Sequence, residues 1–266
     1  MILVGFTFYN ELDMLELHLG ELYEQVDKFI IVESTVTHRN HPKPLYYADN
    51  ASRYAKYADK IVHVVVDDMP GGEDPWVRER YQRDAIKRGV ESVPGVCDDD
   101  ILIICDVDEV VSSSTIEPMA RLFADNPTLP AVRIGMILFY YNFLTACSAP
   151  WYHCISVRVN LLNSIGCSDL RCDSGGGTGD HGRGCKYIHG GGWHMSYFGN
   201  VEFIRNKLLN FAHSEFSGKE YTDIERIQAA INSNNDLFAR GRVCSFSKVN
   251  YPLERRPKLW RLVAEE

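Results

Sequence analysis

The stretch LIICDVDEV, residues Leu102–Val110, carries the strongest structural signal in the chain. Its apolar first half runs directly into three carboxylates, Asp106, Asp108 and Glu109. A short apolar run that is rich in isoleucine predicts a buried strand. Ligands of open α/β sheets bind at the carboxyl ends of the strands. The position of the three acids therefore indicates a binding site at the end of this strand.

Carboxylates held this close repel one another, and a bound cation relieves the repulsion. Oxygen-only ligands suit hard cations such as Mg²⁺ and Mn²⁺. A charged turn after a strand is the alternative, because aspartate also favours turns. Residue types alone leave both interpretations open.

Alternating strands and helices precede this stretch. The predicted strands are Ile2–Tyr9, Val26–Ser34 and Lys60–Asp68, and the predicted helices cover residues 12–22, 54–59 and 76–89. This order predicts an α/β fold with a mostly parallel sheet flanked by helices. Asn10 is the predicted N-cap of the first helix. The first strand is not followed by GxGxxG, and the chain has no P-loop, so neither kind of phosphate-binding loop is expected.

The second half of the sequence is less regular. Ala131–Leu144 predicts one or two strands, His153–Asn163 predicts another, and helices are predicted over residues 201–213 and 223–239. The glycine-rich stretch Cys172–Cys185 predicts a mobile loop. Neither an internal repeat nor a linker forces a domain boundary.

Composition narrows the functional class. The chain has 266 residues and a net charge of −8. This charge argues against nucleic-acid binding, since phosphate contacts need a basic face. The N-terminus lacks the basic region of a signal peptide, and no window is long and apolar enough for a transmembrane segment. We therefore expect a soluble chain, either cytoplasmic or a catalytic domain whose membrane anchor lies outside it.

The eight cysteines include no CxxC pair. Cys105 lies inside the predicted strand and is expected to be a small core residue. Three cysteines and three histidines gather around the glycine-rich stretch: Cys167, Cys172, Cys185, His181, His189 and His194. Their spacing fits no familiar zinc pattern, so a zinc site there is only one open interpretation. The even count permits disulfides without requiring them.

Seven segments stand together in a characteristic order: Phe8–Leu22, Val26–Thr35, Pro42–Tyr47, Trp76–Ile86, Asp98–Val110, Gly191–Gly199 and Lys207–Phe216. In this order they resemble glycosyltransferase family 17, the β-1,4-mannosyl-glycoprotein 4-β-N-acetylglucosaminyltransferases. The resemblance covers most of residues 1–216. The chain departs from the family pattern at Val110 and Val111, where Ile-Pro is usual, and Cys167–Gly190 matches no typical segment.

The resemblance implies a GT-A-like fold in a single catalytic domain over residues 1–266. Residues 1–110 would be the nucleotide-sugar-binding half and residues 111–266 the acceptor-binding half. It further implies metal-dependent, inverting transfer of a sugar, by default N-acetylglucosamine, from a UDP-sugar to a hydroxyl of a glycan or glycoprotein. The absence of a membrane anchor looks more like a bacterial or viral member.

Within this resemblance, Asp106 and Asp108 match a DxD motif. A divalent cation, Mn²⁺ or Mg²⁺, would stabilise the charge that develops on the departing diphosphate. Asp108 is assigned to the metal, and Asp106 to both the ribose and the metal. Glu109 is expected either to support the site or to meet the donor sugar. His194 is a candidate metal ligand, and His213 a weaker one.

Further candidates come from the ends of the first strands. Thr7, Asn10 and Glu33 are predicted to contact the base and ribose of the donor. Arg83 is predicted to pair with a phosphate or with the strand-end acids. Asn10 has the alternative role of helix cap, and Arg83 that of a surface ion pair.

An inverting transfer also needs a base for the acceptor hydroxyl. Glu215 is the first candidate, and Asp180 and Asp223 are alternatives. The loop over residues 174–184 is a candidate lid that excludes water from the bound donor. Four aromatic residues are candidates for stacking on sugar rings or for core packing: Trp193, Tyr197, Tyr141 and Trp151.

Other functions use the same residue types. The scaffold would also suit the transfer of another sugar, such as xylose or galactose. A glycan-binding protein without activity is a second class, although it has no need of paired aspartates for a diphosphate-bound metal. A glycoside hydrolase would also use two carboxylates but would bind no nucleotide.

Overall fold

The structure, a computed structural model, describes residues 1–172, 184–238 and 246–264, without the side chain of Cys172. Most of the glycine-rich stretch lies outside the described residues, and with it the candidate lid, Asp180 and His181. The described strands are β1 (Ile2–Phe8), β2 (Lys28–Ser34), β3 (Ile61–Val66), β4 (Ile101–Asp106), β5 (Glu109–Val111), β6 (Ala131–Tyr140), β7 (Asn142–Cys147), β8 (Trp151–Arg158), β9 (Lys186–Ser196) and β10 (Phe246–Lys248).

Helices lie between these strands. They are α1 (Leu12–Leu22), α2 (Tyr46–Asp49), α3 (Pro75–Asp84), α4 (Ile86–Ser92), α5 (Ser113–Asp125), α6 (Cys167–Cys172), α7 (Val201–Asn210), α8 (Lys219–Thr222) and α9 (Ile224–Ser233). Short 3₁₀ turns cover Ala51–Lys60, Val159–Asn163, Ser214–Phe216, Leu253–Arg255 and Trp260–Leu262. None of the helices described has the length and apolar character of a membrane-spanning segment.

The first four strands form the parallel part of the sheet, in the order β4-β1-β2-β3. Thr7 of β1 is therefore in register with Val32 of β2 on one side and with Asp106 of β4 on the other. The carboxyl ends of these strands meet at one edge, which is where ligands of α/β sheets bind. The predicted α/β class, with strands and helices alternating, is confirmed.

Beyond β4 the sheet becomes mixed. β8 runs antiparallel to β4, β6 antiparallel to β8, and β7 antiparallel to β6, whereas β9 runs parallel to β6. The predicted run Ala131–Leu144 is two strands, and the chain reverses at Tyr141, which has a φ of 65°. The parallel pairing predicted from the βαβ alternation therefore holds only where that alternation holds.

Apolar side chains alternate along β1 between two faces of the sheet. Phe6 packs in the core on the side of α1, with Leu15 of that helix. Leu3 packs on the other side, with Ile86 of α4. Two separate helical layers thus cover the strands and fix their carboxyl ends.

Several local expectations were wrong. The predicted strand His153–Asn163 ends at Arg158 and continues as a 3₁₀ turn, and the predicted helix 201–213 ends at Asn210. Helix α1 begins after Glu11 rather than after Asn10, and no side-chain hydrogen bond caps it. The predicted helix 76–89 is two helices separated at Ala85, and the predicted helix 223–239 ends at Asn234 in the left-handed conformation. Asparagine tolerates this conformation better than most residues, so it ends helices well.

Candidate active site

The turn after β4 is held in place by main-chain contacts from two elements. His18 of α1 donates a hydrogen bond from Nδ1 to the carbonyl of Val107, at 2.9 Å. The amide of Met195 in β9 donates to the carbonyl of Asp108 at 2.8 Å. The side chains of this turn are therefore presented by a rigid support.

Strand β5 pairs with β9 and brings Glu109 into register with His194. The approach is close, because a Cβ atom on Gly192 would lie 2.4 Å from the main-chain oxygen of Val110. Only glycine permits this contact without movement of a strand. Gly192 therefore sets the distance between His194 and the acidic turn.

Glu109 is fully buried and holds the site together. Its carboxylate accepts hydrogen bonds of 2.6 and 2.8 Å from Arg171, one from the indole of Trp151, and one of 3.0 Å from the amide of Asp106. Of its two expected roles, this geometry matches support of the site.

Asp106 lies between two guanidinium groups. Arg83 donates to Oδ1 at 3.0 Å and Arg171 donates to Oδ2 at 2.6 Å. Burial favours the protonated acid, but Arg171 and Arg83 outweigh it and hold the pKa of Asp106 well below its usual range. Arg83 thus pairs with a strand-end acid, which was one of its two expected roles. Arg83 also pairs with Glu79 one helical turn away.

Asp108 faces a different pair of side chains. Lys207 of α7 donates to its Oδ2 at 2.8 Å, and Nε2 of His194 lies 3.7 Å from its Oδ1. Burial raises the pKa of Asp108, but Lys207 and His194 together lower it below the ordinary value. Burial lowers the pKa of Lys207, yet the charges of Asp108 and Glu11 raise it overall. Asp108 is therefore ionised and Lys207 protonated at neutral pH.

These side chains open into a cavity of about 500 Å³. Its walls come from the ends of β1 and β4, from α3, α6 and α7, and from β6, β8 and β9. The residues that carry polar or charged groups into it include Thr7, Glu11, Lys43, Glu79, Gln82, Arg83, Asp106, Asp108, His153, Arg171, His194, Lys207 and His213. A largely preformed cavity with converging polar groups is the usual form of a ligand site.

The sequence predicts that Asp106, Asp108 and His194 bind a divalent cation. No group of three or more His, Cys, Asp or Glu side chains arranged for a metal occurs among the described residues. Asp108 and His194 are nevertheless in place as a pair, and such cations often take only one or two protein ligands, with substrate phosphates and water completing the shell. The pair fits a cation that binds together with a diphosphate. Asp106 is directed to two arginines instead.

Of the other nucleotide-side candidates, Thr7 lines the cavity. Glu33 does not: it is fully buried, its carboxylate accepts from the amide of Tyr47, and Nε2 of His63 lies 3.2 Å away. Lys43, which does line the cavity, lies 3.6 Å from the same carboxylate. Glu33 therefore contributes by holding Lys43 rather than by touching a ligand. Asn10 lies beside the cavity-lining Tyr9 and is not itself part of the wall.

The two described candidates for the base that deprotonates the acceptor hydroxyl lie in different parts of the structure. Glu215 is exposed, and its Oε1 lies 2.7 Å from Nδ1 of His213, which lines the cavity. Asp223 instead caps α9, where its side chain accepts from the amide of Arg226. Capping this helix is a sufficient role for Asp223, so no catalytic role is needed to explain it.

Of the four aromatic residues considered for sugar stacking, two line the cavity and two are buried elsewhere. Trp151 and Tyr197 line the cavity, and the ring of Trp151 lies 4.6 Å from that of His194. Trp193 is a core residue whose indole donates to Tyr251. Tyr141 is buried in the turn after β6. Trp193 and Tyr141 therefore have the alternative role, which is packing in the core.

The cysteines that the structure describes give no support to a zinc site. Cys105 and Cys154 are buried neighbours in the core, as expected for Cys105. Cys167 is a buried free thiol, and the described residues place no metal-binding cluster around it or around Cys185. The side chain of Cys172 and all of Cys244 lie outside the described residues.

Sequence reasoning missed Arg171, Lys207 and Lys43. Arg171 lies in α6, at the edge of the segment that matched no family pattern, so nothing singled it out. Lys207 lies within a segment that carried the resemblance, but only the carboxylate and histidine that follow it were chosen. A buried acidic cluster needs cations nearby, and that requirement was the available signal.

Comparison with solved structures gives distant similarities. The mannosyltransferase PcManGT from Pyrobaculum calidifontis, solved with GDP-Man and Mn²⁺, is 14% identical, with a TM-score of 0.48 over 88% of this chain and 70% of that one. S. aureus TarS 1–349 is 12% identical, with a TM-score of 0.44 over 88% of this chain and 71% of that one.

Similarity in sequence is more specific. The chain is 30% identical over 106 residues to the β-1,4-mannosyl-glycoprotein 4-β-N-acetylglucosaminyltransferases of Homo sapiens and Rattus norvegicus. This match covers 38% of the chain and only 20% of each relative. The pattern of glycosyltransferase family 17 matches residues 2–248. Because this match covers most of its length, this chain belongs to glycosyltransferase family 17.

Proposed function

We propose that this chain transfers a sugar, by default N-acetylglucosamine, from a UDP-sugar to a hydroxyl of a glycan. The reaction would depend on a divalent cation and would invert the anomeric centre. Residues 1–110 would bind the nucleotide, and residues 111–266 would complete the site and receive the acceptor. The observation that carries the proposal is the placement of Asp106 and Asp108 together, at the strand ends, in one cavity with Lys207 and Arg171.

Charge supports a bound cation. Among the residues that the structure describes, the ion pairs around the turn join five carboxylates and three Arg or Lys side chains: Glu11, Glu79, Asp106, Asp108 and Glu109 with Arg83, Arg171 and Lys207. Within this described network, carboxylates outnumber the Arg and Lys side chains before any substrate binds. An incoming diphosphate adds further negative charge, so its binding needs an additional cation. Asp108 and His194 would hold Mn²⁺ or Mg²⁺, which neutralises the departing diphosphate.

The protein residues have separate tasks in this scheme. Lys207 and Arg171 supply fixed positive charge near the diphosphate, where charge develops in the transition state. Asp106, fixed by Arg83 and Arg171, would accept a hydrogen bond from a ribose hydroxyl. Thr7 lines the same end of the cavity and would contact the nucleoside.

One part of the cavity wall is aromatic and suits an acceptor glycan. Trp76, Phe211, Phe216 and Phe238 line it on the side of α3 and of the segment after α7. Aromatic faces pack well against the apolar face of a sugar ring, and aromatic lining is common in ligand sites.

A nucleotide-release assay tests the proposal. Purified protein is incubated with Mn²⁺, a mannose-containing N-glycan and each of UDP-N-acetylglucosamine, UDP-galactose and UDP-xylose. Release of UDP together with a glycan of increased mass is expected with one donor. The same product with another donor would correct the sugar but keep the reaction. No release and no product with any donor would contradict the proposal.

A further inference from the structure

Two residues on the segment after α7 form a hydrogen-bonded pair that faces the cavity. Nδ1 of His213 lies 2.7 Å from Oε1 of Glu215. His213 precedes the 3₁₀ turn Ser214–Phe216, so both side chains project from one short, ordered turn. His213 lines the cavity and Glu215 lies outside it, and both side chains are about half exposed to solvent, at 47% and 54%.

Aromatic contacts fix the orientation of the imidazole ring. The indole of Trp76 meets it edge-on, with ring centres 4.6 Å apart. Phe211 and Phe216 lie 5.4 and 5.9 Å from it, centre to centre. These are residues of the aromatic wall that suits a sugar acceptor. The ring is therefore held where the hydroxyl of a stacked sugar would be within reach.

The carboxylate determines which nitrogen is available. A neutral imidazole that donates from Nδ1 to a carboxylate has its lone pair on Nε2. Among the described residues, no hydrogen bond to Nε2 of His213 is present, while Nδ1 is committed to Glu215. A histidine with one nitrogen oriented by a carboxylate and the other directed to substrate is the usual form of a general base.

We propose that His213 is the general base of the transfer and that Glu215 is its positioning residue. This inference rests on the proposed function. Nε2 would take the proton of the acceptor hydroxyl as that oxygen bonds to the anomeric carbon. The bond from the anomeric carbon to the diphosphate oxygen breaks at the same time, and the diphosphate leaves with the electron pair.

Other carboxylates around the cavity are less suited to this role. Glu11 and Glu79 are engaged with Lys207 and Arg83. Burial raises the pKa of Glu215, but the hydrogen bond and charge of His213, a backbone hydrogen bond and the charge of Arg39 together lower it below its ordinary value, which makes Glu215 a weaker base by itself. The sequence-based choice of Glu215 is thereby revised to a supporting role.

Kinetics of three variants test the pair. His213→Gln keeps a side chain of similar polarity but cannot accept a proton at neutral pH, so kcat is expected to fall roughly 10²- to 10⁴-fold. Glu215→Gln is expected to cause a smaller loss of kcat. His213→Ala is expected to regain part of its activity when imidazole is added. His41→Gln, at an exposed histidine outside the cavity, is the matched control.

Binding of UDP with Mn²⁺, measured by calorimetry, separates the outcomes. It is expected to be unchanged in all variants, which also shows that they fold. A kcat of His213→Gln within about threefold of wild type would overturn the dyad and leave the transferase function intact. A loss in His213→Ala that imidazole does not restore, with a raised KM for acceptor, would assign the ring to sugar packing instead. No transfer by the wild-type protein would remove both proposals.

Discussion

Lys207 and Asp108 are 99 residues apart in the sequence and are joined by a hydrogen bond of 2.8 Å. This contact ties α7, in the second half of the chain, to the acidic turn at the end of β4. The same turn is tied to α6 through Arg171. Among the described residues, the second half of the chain therefore contributes two of the three Arg or Lys side chains that pair with the strand-end acids, and Arg83 of α3 is the third.

Replacing Lys207 by methionine should destabilise the protein. Asp108 would lose its nearest cation, and a buried charge without a partner is costly. Because 21% of the Lys207 side chain is exposed, we expect a loss of about 2–3 kcal/mol in the free energy of unfolding, less than for a fully buried pair. Urea denaturation measures it. Lys219→Met, at an exposed position of α8, should change stability by less than about 0.5 kcal/mol, and an equal loss in both would contradict the account.

Replacing Arg171 by alanine should have a larger effect. Its guanidinium group holds both Asp106 and the fully buried Glu109, so removal leaves two acids without their shared cation. We expect a loss of about 3–5 kcal/mol in the free energy of unfolding. Arg121→Ala is the control, since its ion pair with Glu117 is exposed and such pairs contribute at most about 1 kcal/mol. Similar losses for the two variants would refute the central role of Arg171.

Buried His18 should make stability depend on pH. Burial lowers its pKa to about 4, against an ordinary value of 6.5, although its bond to Val107 and the nearby Asp108 and Glu109 act in the opposite direction. Below pH 6.5 the unfolded chain takes up a proton that the folded chain refuses. Stability is therefore lost as pH falls from about 6.5 to about 4, by up to about 1.4 kcal/mol per pH unit.

The His18→Gln variant isolates this contribution. Glutamine can still donate to the carbonyl of Val107 but does not titrate. The free energy of unfolding, measured by urea denaturation between pH 4 and 7, should fall less steeply in the variant than in the wild type. Parallel curves would show that His18 does not carry the pH dependence.

The first half of the fold follows from its sequence because its signals are local. Strands β1 to β4 are short apolar runs, and the acids at the end of β4 were identified together with their place at the sheet edge. The break at Ala85 was missed, since local propensity says little about where tertiary packing ends a helix. Helix α5 was not predicted either. Asn10 was misjudged as a cap for the same reason.

Sequence patterns could not identify the residues that form ion pairs with the strand-end acids. Arg171 is 65 residues from Asp106, and only the folded chain brings them within 2.6 Å. Glu33 was chosen because it ends a strand beside Thr7, as a ligand-binding residue would. Its carboxylate instead contacts Tyr47 of α2, His63 of β3 and Lys43 of the loop before α2, and no local signal in the sequence predicts that these residues come together.

Calorimetric titration of UDP, with and without Mn²⁺, tests the central claim most directly. Wild-type protein and Asp108→Asn are compared, with Asp99→Asn as a control at an exposed carboxylate. The account predicts that UDP binds with Mn²⁺ present, that binding weakens greatly without it, and that Asp108→Asn loses the metal-dependent part while Asp99→Asn keeps it. Absence of UDP binding by the wild type in both conditions, or metal-dependent binding that Asp108→Asn retains, would contradict it.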